Sequence, residues 1–94
     1  MAKLTDSELG AALAGLSGWA LESGEIVREY RLADFREVVS VVVRLAFEAE
    51  AADHHPDLDI RYNRLTVRLS THSEGGVTTK DVELAGAIDR VAAK

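Results

Sequence analysis

A chain of 94 residues with 11 Lys and Arg against 16 Asp and Glu carries a formal charge of −5. That argues against a nucleic-acid-binding surface, which needs cations to displace counterions from phosphates. The absence of cysteine excludes disulfides, thiolate metal sites and a cysteine nucleophile.

With 47% hydrophobic but only 5% aromatic residues, one domain over residues 1–94 is expected to build its core from Val, Leu, Ile and Ala. A chain of this size buries only about 60–70% of the surface it exposes when unfolded. Without a run of about 18 apolar residues or a signal-peptide pattern, a cytoplasmic protein with no membrane segment is expected.

In chain order, Thr5 with Glu8 three residues later forms a capping-box signal, and Leu9, Leu13 and Leu16 follow with helical spacing. Residues 18–32 read as a hairpin turning at Ser23-Gly24, with Trp19 and Leu21 alternating on the first strand and Ile26, Tyr30 and Leu32 on one face of the second. The segment from Asp34 to Asp53 is rich in Val, which favours strand on propensity. Its apolar positions Phe35, Val38/Val39, Val42, Leu45/Ala46 and Ala49 nevertheless recur with helical spacing over about twenty residues, far longer than a usual strand of 5–6. A long helix capped by Asp34 and stopped before Pro56 is expected, apolar around much of its circumference. Such a helix is either sandwiched inside the domain or also buried against another subunit, with an oligomer favoured because so little protein is left to cover it.

Residues 57–69 read as a second hairpin. A turn at Asn63-Arg64 sets cross-strand partners summing to 127, with Tyr62/Leu65, Ile60/Val67 and Leu58/Leu69 on an apolar face and Asp59/Arg68 and Arg61/Thr66 on the other. The last segment carries Val82, Leu84/Ala85, Ile88 and Val91/Ala92 with helical spacing behind a Thr78 cap with Asp81 at its third helical position. The order α-β-β-α-β-β-α implies an α+β fold: a four-stranded antiparallel sheet with three helices on one face. Arg28, Arg31, Arg61, Arg64 and Arg68 fall in the strands, where solvation is the ordinary explanation.

All three histidines, His54, His55 and His72, lie between residues 53 and 76. Extending the 127 register places His55 opposite His72 at one end of the sheet, while His54 points to the other side of an extended chain. Gly75-Gly76 permits a sharp loop that returns Asp81 to the same end, where it is both a capping acid and a carboxylate beside the histidines. Two chemistries fit. Imidazoles titrating near neutrality serve acid–base catalysis. A His/His/Asp set could hold a metal, although adjacent histidines chelate poorly.

Glu50-Ala-Ala-Asp-His-His-Pro-Asp57, Tyr62-Asn63, Leu69-Ser-Thr-His72 and Asp81 nine residues on, with Gly18-Trp19, Asp34-Phe35 and Leu84-Ala85, resemble the pterin-4a-carbinolamine dehydratase family over nearly the whole chain. The resemblance implies a lyase that dehydrates 4a-hydroxytetrahydrobiopterin to quinonoid dihydropterin after aromatic amino acid hydroxylation, using neither metal nor cofactor. It implies His54, His55, His72 and Asp81 as catalytic residues. It also implies a substrate pocket lined by Asp53, His54, His55, Pro56 and by Ser70, Thr71, His72 and Ser73, a homo-oligomer (dimer or tetramer), and a functional link to a hydroxylase.

Two positions depart from the family pattern: Leu58 replaces a common aromatic, and Lys80 replaces an arginine, keeping the charge without the planar fork. The alternatives are a non-catalytic dimerisation or assembly module working through the long helix, and a metal-dependent hydrolase.

Overall fold

A computed structural model describes residues 2–93. Helix α1 spans Asp6–Ala14, strands β1 and β2 span Ala20–Glu22 and Glu25–Arg31, and helix α2 spans Phe35–Ala52. Strands β3 (Asp57–Arg61) and β4 (Arg64–Leu69), a short 3-10 turn (His72–Glu74) and helix α3 (Thr79–Ala92) complete the chain. The sheet is antiparallel with strand order β1-β2-β4-β3, the expected α+β architecture with three helices. Among the described residues no helix is long and apolar enough to cross a membrane.

Local chemistry accounts for the element ends. The Thr5 hydroxyl accepts from Glu8 N–H while the Glu8 carboxylate accepts from Thr5 N–H, a complete capping box. Asp34 caps α2 by accepting from Glu37 N–H at 2.9 Å, and α2 ends where Asp53 turns left-handed at φ 50°. Thr78 and Asp81 form the capping box of α3.

The β2–β4 register pairs Ile26 with Leu69, Arg28 with Val67 and Tyr30 with Leu65, so alternate residues of both strands face the helices. There Ile26, Leu65, Val67 and Leu69 bury fully against Val38, Val41 and Leu45 of α2 and Leu84, Ala85 and Ile88 of α3. Burial of this stripe overrides the strand propensity of the Val-rich segment, since truncating one such core residue costs about 2–5 kcal/mol.

Three expectations are corrected. The β3–β4 partners sum to 125, with Leu58 opposite Val67 and Ile60 opposite Leu65. The turn is Tyr62-Asn63, not Asn63-Arg64. A shift of two residues keeps every side chain on its face, so the apolar pattern alone permits both registers. Asn63 decides between them: its side-chain amide donates to Leu32 O at 3.2 Å and its own carbonyl accepts from Leu32 N–H at 2.8 Å, while Tyr62 takes φ 52°.

The second correction follows from the first. The ladder ends at Asp57/Arg68 and does not bring His55 opposite His72.

The third concerns α2. Its buried stripe is Val38, Val41, Leu45 and Ala49, whereas Phe35 is exposed with Val39, Val43 and Phe47, which is 71% exposed. The helix is indeed apolar on two sides, one facing the core and one facing outward.

Candidate active site

Asp81 is the most enclosed acid described, with 0% of its surface exposed. Its Oδ2 accepts from Thr78 N–H and from the Thr71 hydroxyl, each at 2.8 Å, and its Oδ1 lies 2.5 Å from His54 Nε2. The Thr71 hydroxyl also lies 2.8 Å from that of Thr78.

This arrangement follows from local rules. Thr71 ends β4 and pairs with Gly76, closing the loop that contains His72. Thr78 starts α3, so its N–H is free of the helical ladder and needs a side-chain acceptor. A buried carboxylate is costly unless its lone pairs are filled, and here both oxygens are engaged. Because a carboxylate only accepts, it requires Nε2 of His54 to carry the proton, leaving Nδ1 as the exchangeable nitrogen of the neutral ring. Asp81 is therefore both a capping acid and the partner of an imidazole.

The other histidines lie elsewhere. The side chain of His55 is 62% exposed, and its Nε2 is 2.9 Å from Glu50 Oε1, one helical turn back along α2. The ring of His54, at 11% exposure, is turned inward, so the two neighbours diverge as expected for successive residues of an extended chain. His72 lies in the 3-10 turn and lines an open cavity of ≈ 450 Å³ at the strand ends, together with Ser70, Asp57 and the β1–β2 turn.

The structure thus gathers His54, Thr71, Thr78 and Asp81 into one network, places Ser70 and His72 in the adjoining cavity, and turns His55 to Glu50. Asp53 is an exposed helix cap, Pro56 is half-buried and Ser73 is exposed. Thr71, expected in the pocket lining, spends its hydroxyl on Asp81 and Thr78. Among the described residues no group of three or more His, Cys, Asp or Glu side chains is arranged to hold a metal ion.

Sequence reasoning missed a second polar cluster. Asp89 of α3 accepts from Trp19 Nε1 at 3.1 Å, from Arg28 Nη1 at 2.9 Å and from the Tyr30 hydroxyl. Trp19 and Tyr30 pack edge to face at 6.4 Å, and the Arg28 guanidinium sits 4.5 Å over the Tyr30 ring. Burial, then the Asp89 hydrogen bond and charge, push the Tyr30 phenol far above its usual range. Gly18, at φ 90°, lets Arg28 pass: a Cβ there would lie 2.8 Å from Arg28 Nε. The available signal was Arg28 itself, a charge on the inward face of β2 between Ile26 and Tyr30. Asp89 lies eight residues beyond Asp81, about 12 Å along the helix. The cluster ties β2 and the segment between α1 and β1 to α3, away from the histidines.

A small antiparallel sheet backed by three helices, with a buried Asp-His pair at one end, defines the class of protein. The comparisons then identify the family: residues 2–91 match the family model described as pterin 4 alpha carbinolamine dehydratase, and the chain belongs to that family. A relative in Chloroflexus aurantiacus named "Putative pterin-4-alpha-carbinolamine dehydratase" is 50% identical over 91 residues, covering 97% of this chain and 98% of that one. One of the same name in Mycobacteroides abscessus is 51% identical over 89 residues, covering 95% of each.

The crystal structure of a transcriptional coactivator/pterin dehydratase from Brucella melitensis superposes with a TM-score of 0.93 at 38% identity, covering 96% of this chain and 98% of that one. A pterin dehydratase-like protein identified as a RuBisCO assembly factor in the alpha-carboxysome shares the fold alone, with a TM-score of 0.67 at 12% identity over 81% of this chain and 88% of that one.

Proposed function

We propose that the protein dehydrates 4a-hydroxytetrahydrobiopterin to quinonoid dihydropterin and water, recycling pterin produced by an aromatic amino acid hydroxylase. The observation that carries the reading is the inward-turned His54 held on buried Asp81, whose partner Thr71 lies in the chain between the cavity-lining Ser70 and His72. Elimination breaks the C4a–O bond, delivers a proton to the departing hydroxyl and removes one from N5. The C4a=N5 double bond forms with no net change in protons.

Two imidazoles in complementary protonation states suffice, without metal or cofactor, and positioned acid–base groups contribute typically 10²–10⁴-fold. His54, oriented by Asp81, and His72 are the transferring groups in this proposal. His55, with Glu50, holds the substrate from the α2 side, and Asp53, Pro56, Ser70 and Ser73 complete the walls. The enzyme works in the cytoplasm as a homo-oligomer.

The test follows the decay of enzymatically generated 4a-hydroxytetrahydropterin in the presence of wild type, His54→Ala and His72→Ala. Acceleration by wild type that both folded variants lose supports the reading. Equal decay with and without wild type removes it.

A second reading, a non-catalytic assembly module, is favoured by one observation, the outward stripe Phe35, Val39, Val43 and Phe47 on α2. An exposed apolar stripe of this kind is an ordinary mark of an association surface. It is compatible with catalysis at the other site.

A further inference from the structure

If the site binds a pterin, something must accept hydrogen bonds from the 2-amino group and N3–H of its pyrimidine ring. These two parallel donors match the two oxygens of a carboxylate, as a guanidinium fork does. Asp81 is unavailable: its surface is fully buried and both oxygens are taken by His54, Thr71 and Thr78.

Two other carboxylates line the cavity that contains His72, those of Glu25 and Asp57. Glu25 is half-buried at the first position of β2, while Asp57 is exposed at the edge strand β3. Neither engages in an ion pair or side-chain hydrogen bond among the described residues.

The mount of Glu25 is rigid. Glu22 pairs with Glu25 across a two-residue turn, and Ser23 at φ 51° with Gly24 at φ 81° gives two successive left-handed residues, the twist that matches a tight hairpin. Glu25 precedes Ile26, which pairs with Leu69, so it comes level with Ser70 where β4 leaves the sheet. Glu25, Ser70 and Asp57 thus share the sheet face opposite the helices, at the same end as His72. The cavity, at ≈ 450 Å³, is within the usual range for small-molecule sites, about 300–1,000 Å³.

We infer that Glu25, presented by the β1–β2 turn, is the specificity-determining carboxylate that accepts the 2-amino and N3–H edge of the pterin. The inference rests on the proposed dehydratase reading. It assigns the first hairpin a direct part in substrate recognition, with the reactive side of the ring directed toward His72.

Its test is independent of turnover. Binding of 7,8-dihydropterin and of 7,8-dihydrolumazine, whose carbonyl replaces the 2-amino group, is measured by fluorescence titration of wild type, Glu25→Gln and Asp57→Asn. Matching urea midpoints establish that the variants are folded. Wild type is expected to favour the pterin about tenfold or more, the scale of a charge-assisted hydrogen bond. Glu25→Gln should lose most of that preference by weakening the pterin more than the lumazine, which keeps only the N3–H donor.

An unchanged preference in Glu25→Gln overturns the assignment while leaving the dehydratase reading intact. So does a loss confined to Asp57→Asn. If wild type neither binds 7,8-dihydropterin nor accelerates 4a-hydroxytetrahydropterin decay, the inference and the reading fall together.

Discussion

Replacing Asp81 with Asn separates its two duties. The amide oxygen, set where Oδ2 lies, still accepts from Thr78 N–H and the Thr71 hydroxyl, both 2.8 Å away in the native side chain. The amide NH₂ then faces His54 Nε2, which is 2.5 Å from Oδ1 in the native pair. Two donors cannot share that contact, so the neutral imidazole must move its proton to Nδ1 and offer Nε2 as acceptor. The helix cap survives and the tautomer reverses.

Losing one charged acceptor while keeping the others satisfied costs about 1–2 kcal/mol. Asp81→Ala also removes the capping-box acceptor of Thr78 N–H and strands several buried polar groups at about 1–3 kcal/mol each. Its total of about 3–5 kcal/mol is a large part of the 5–15 kcal/mol available to a small domain. Urea unfolding with linear extrapolation should therefore order the proteins wild type, Asn, then Ala. Dehydration of 4a-hydroxytetrahydropterin by the folded Asn variant should fall about 10²-fold or more, the scale of positioned acid–base catalysis. A folded Asn variant with wild-type turnover would refute the claim that Asp81 sets the working tautomer of His54.

Three further outcomes follow from the same geometry. His54→Ala should lose about 1–3 kcal/mol in urea unfolding, because Asp81 is left buried with an empty acceptor site, whereas His55→Ala, whose ring is mostly in solvent, should be close to neutral. Val43→Asp on the outward stripe of α2 should lower the mass seen by light scattering without changing the far-ultraviolet circular dichroism; Val42, which packs partly against the core, would confuse association with folding. For Tyr30, the folded phenol has its pKa raised above the unfolded value of 10.0, so its contribution to stability is complete below that value and is lost as pH rises beyond it. Urea midpoints of wild type should decline above about pH 10, and more steeply than those of Tyr30→Phe; parallel declines would show that Tyr30 does not govern the alkaline transition.

What was legible in the chain was local. The caps of Thr5, Asp34 and Thr78 act over three residues, and each lies where its spacing implies. Twenty residues of helical period outweighed the strand preference of the valines because the period describes a buried face and propensity does not. The β3–β4 register lay one step beyond such rules. A two-residue shift leaves inward and outward faces unchanged, and the choice between registers belongs to Asn63 and a backbone group 31 positions away.

The misplaced ladder carried the His55/His72 pairing with it, so the histidine that meets Asp81 is His54. The convergence of Trp19, Arg28 and Tyr30 on Asp89 joins residues 59–70 positions apart, beyond any short spacing. Only the inward charge of Arg28 hinted that a partner was needed.

The most direct test of the account is a single progress curve. 4a-hydroxytetrahydropterin is generated in place by a hydroxylase, and its decay is followed with no addition, with wild type, and with the folded His54→Ala variant. The account predicts rapid decay with wild type and a return toward the uncatalysed rate with the variant. Wild-type decay no faster than the uncatalysed reaction, from a folded protein, would contradict it and turn attention to the outward face of α2.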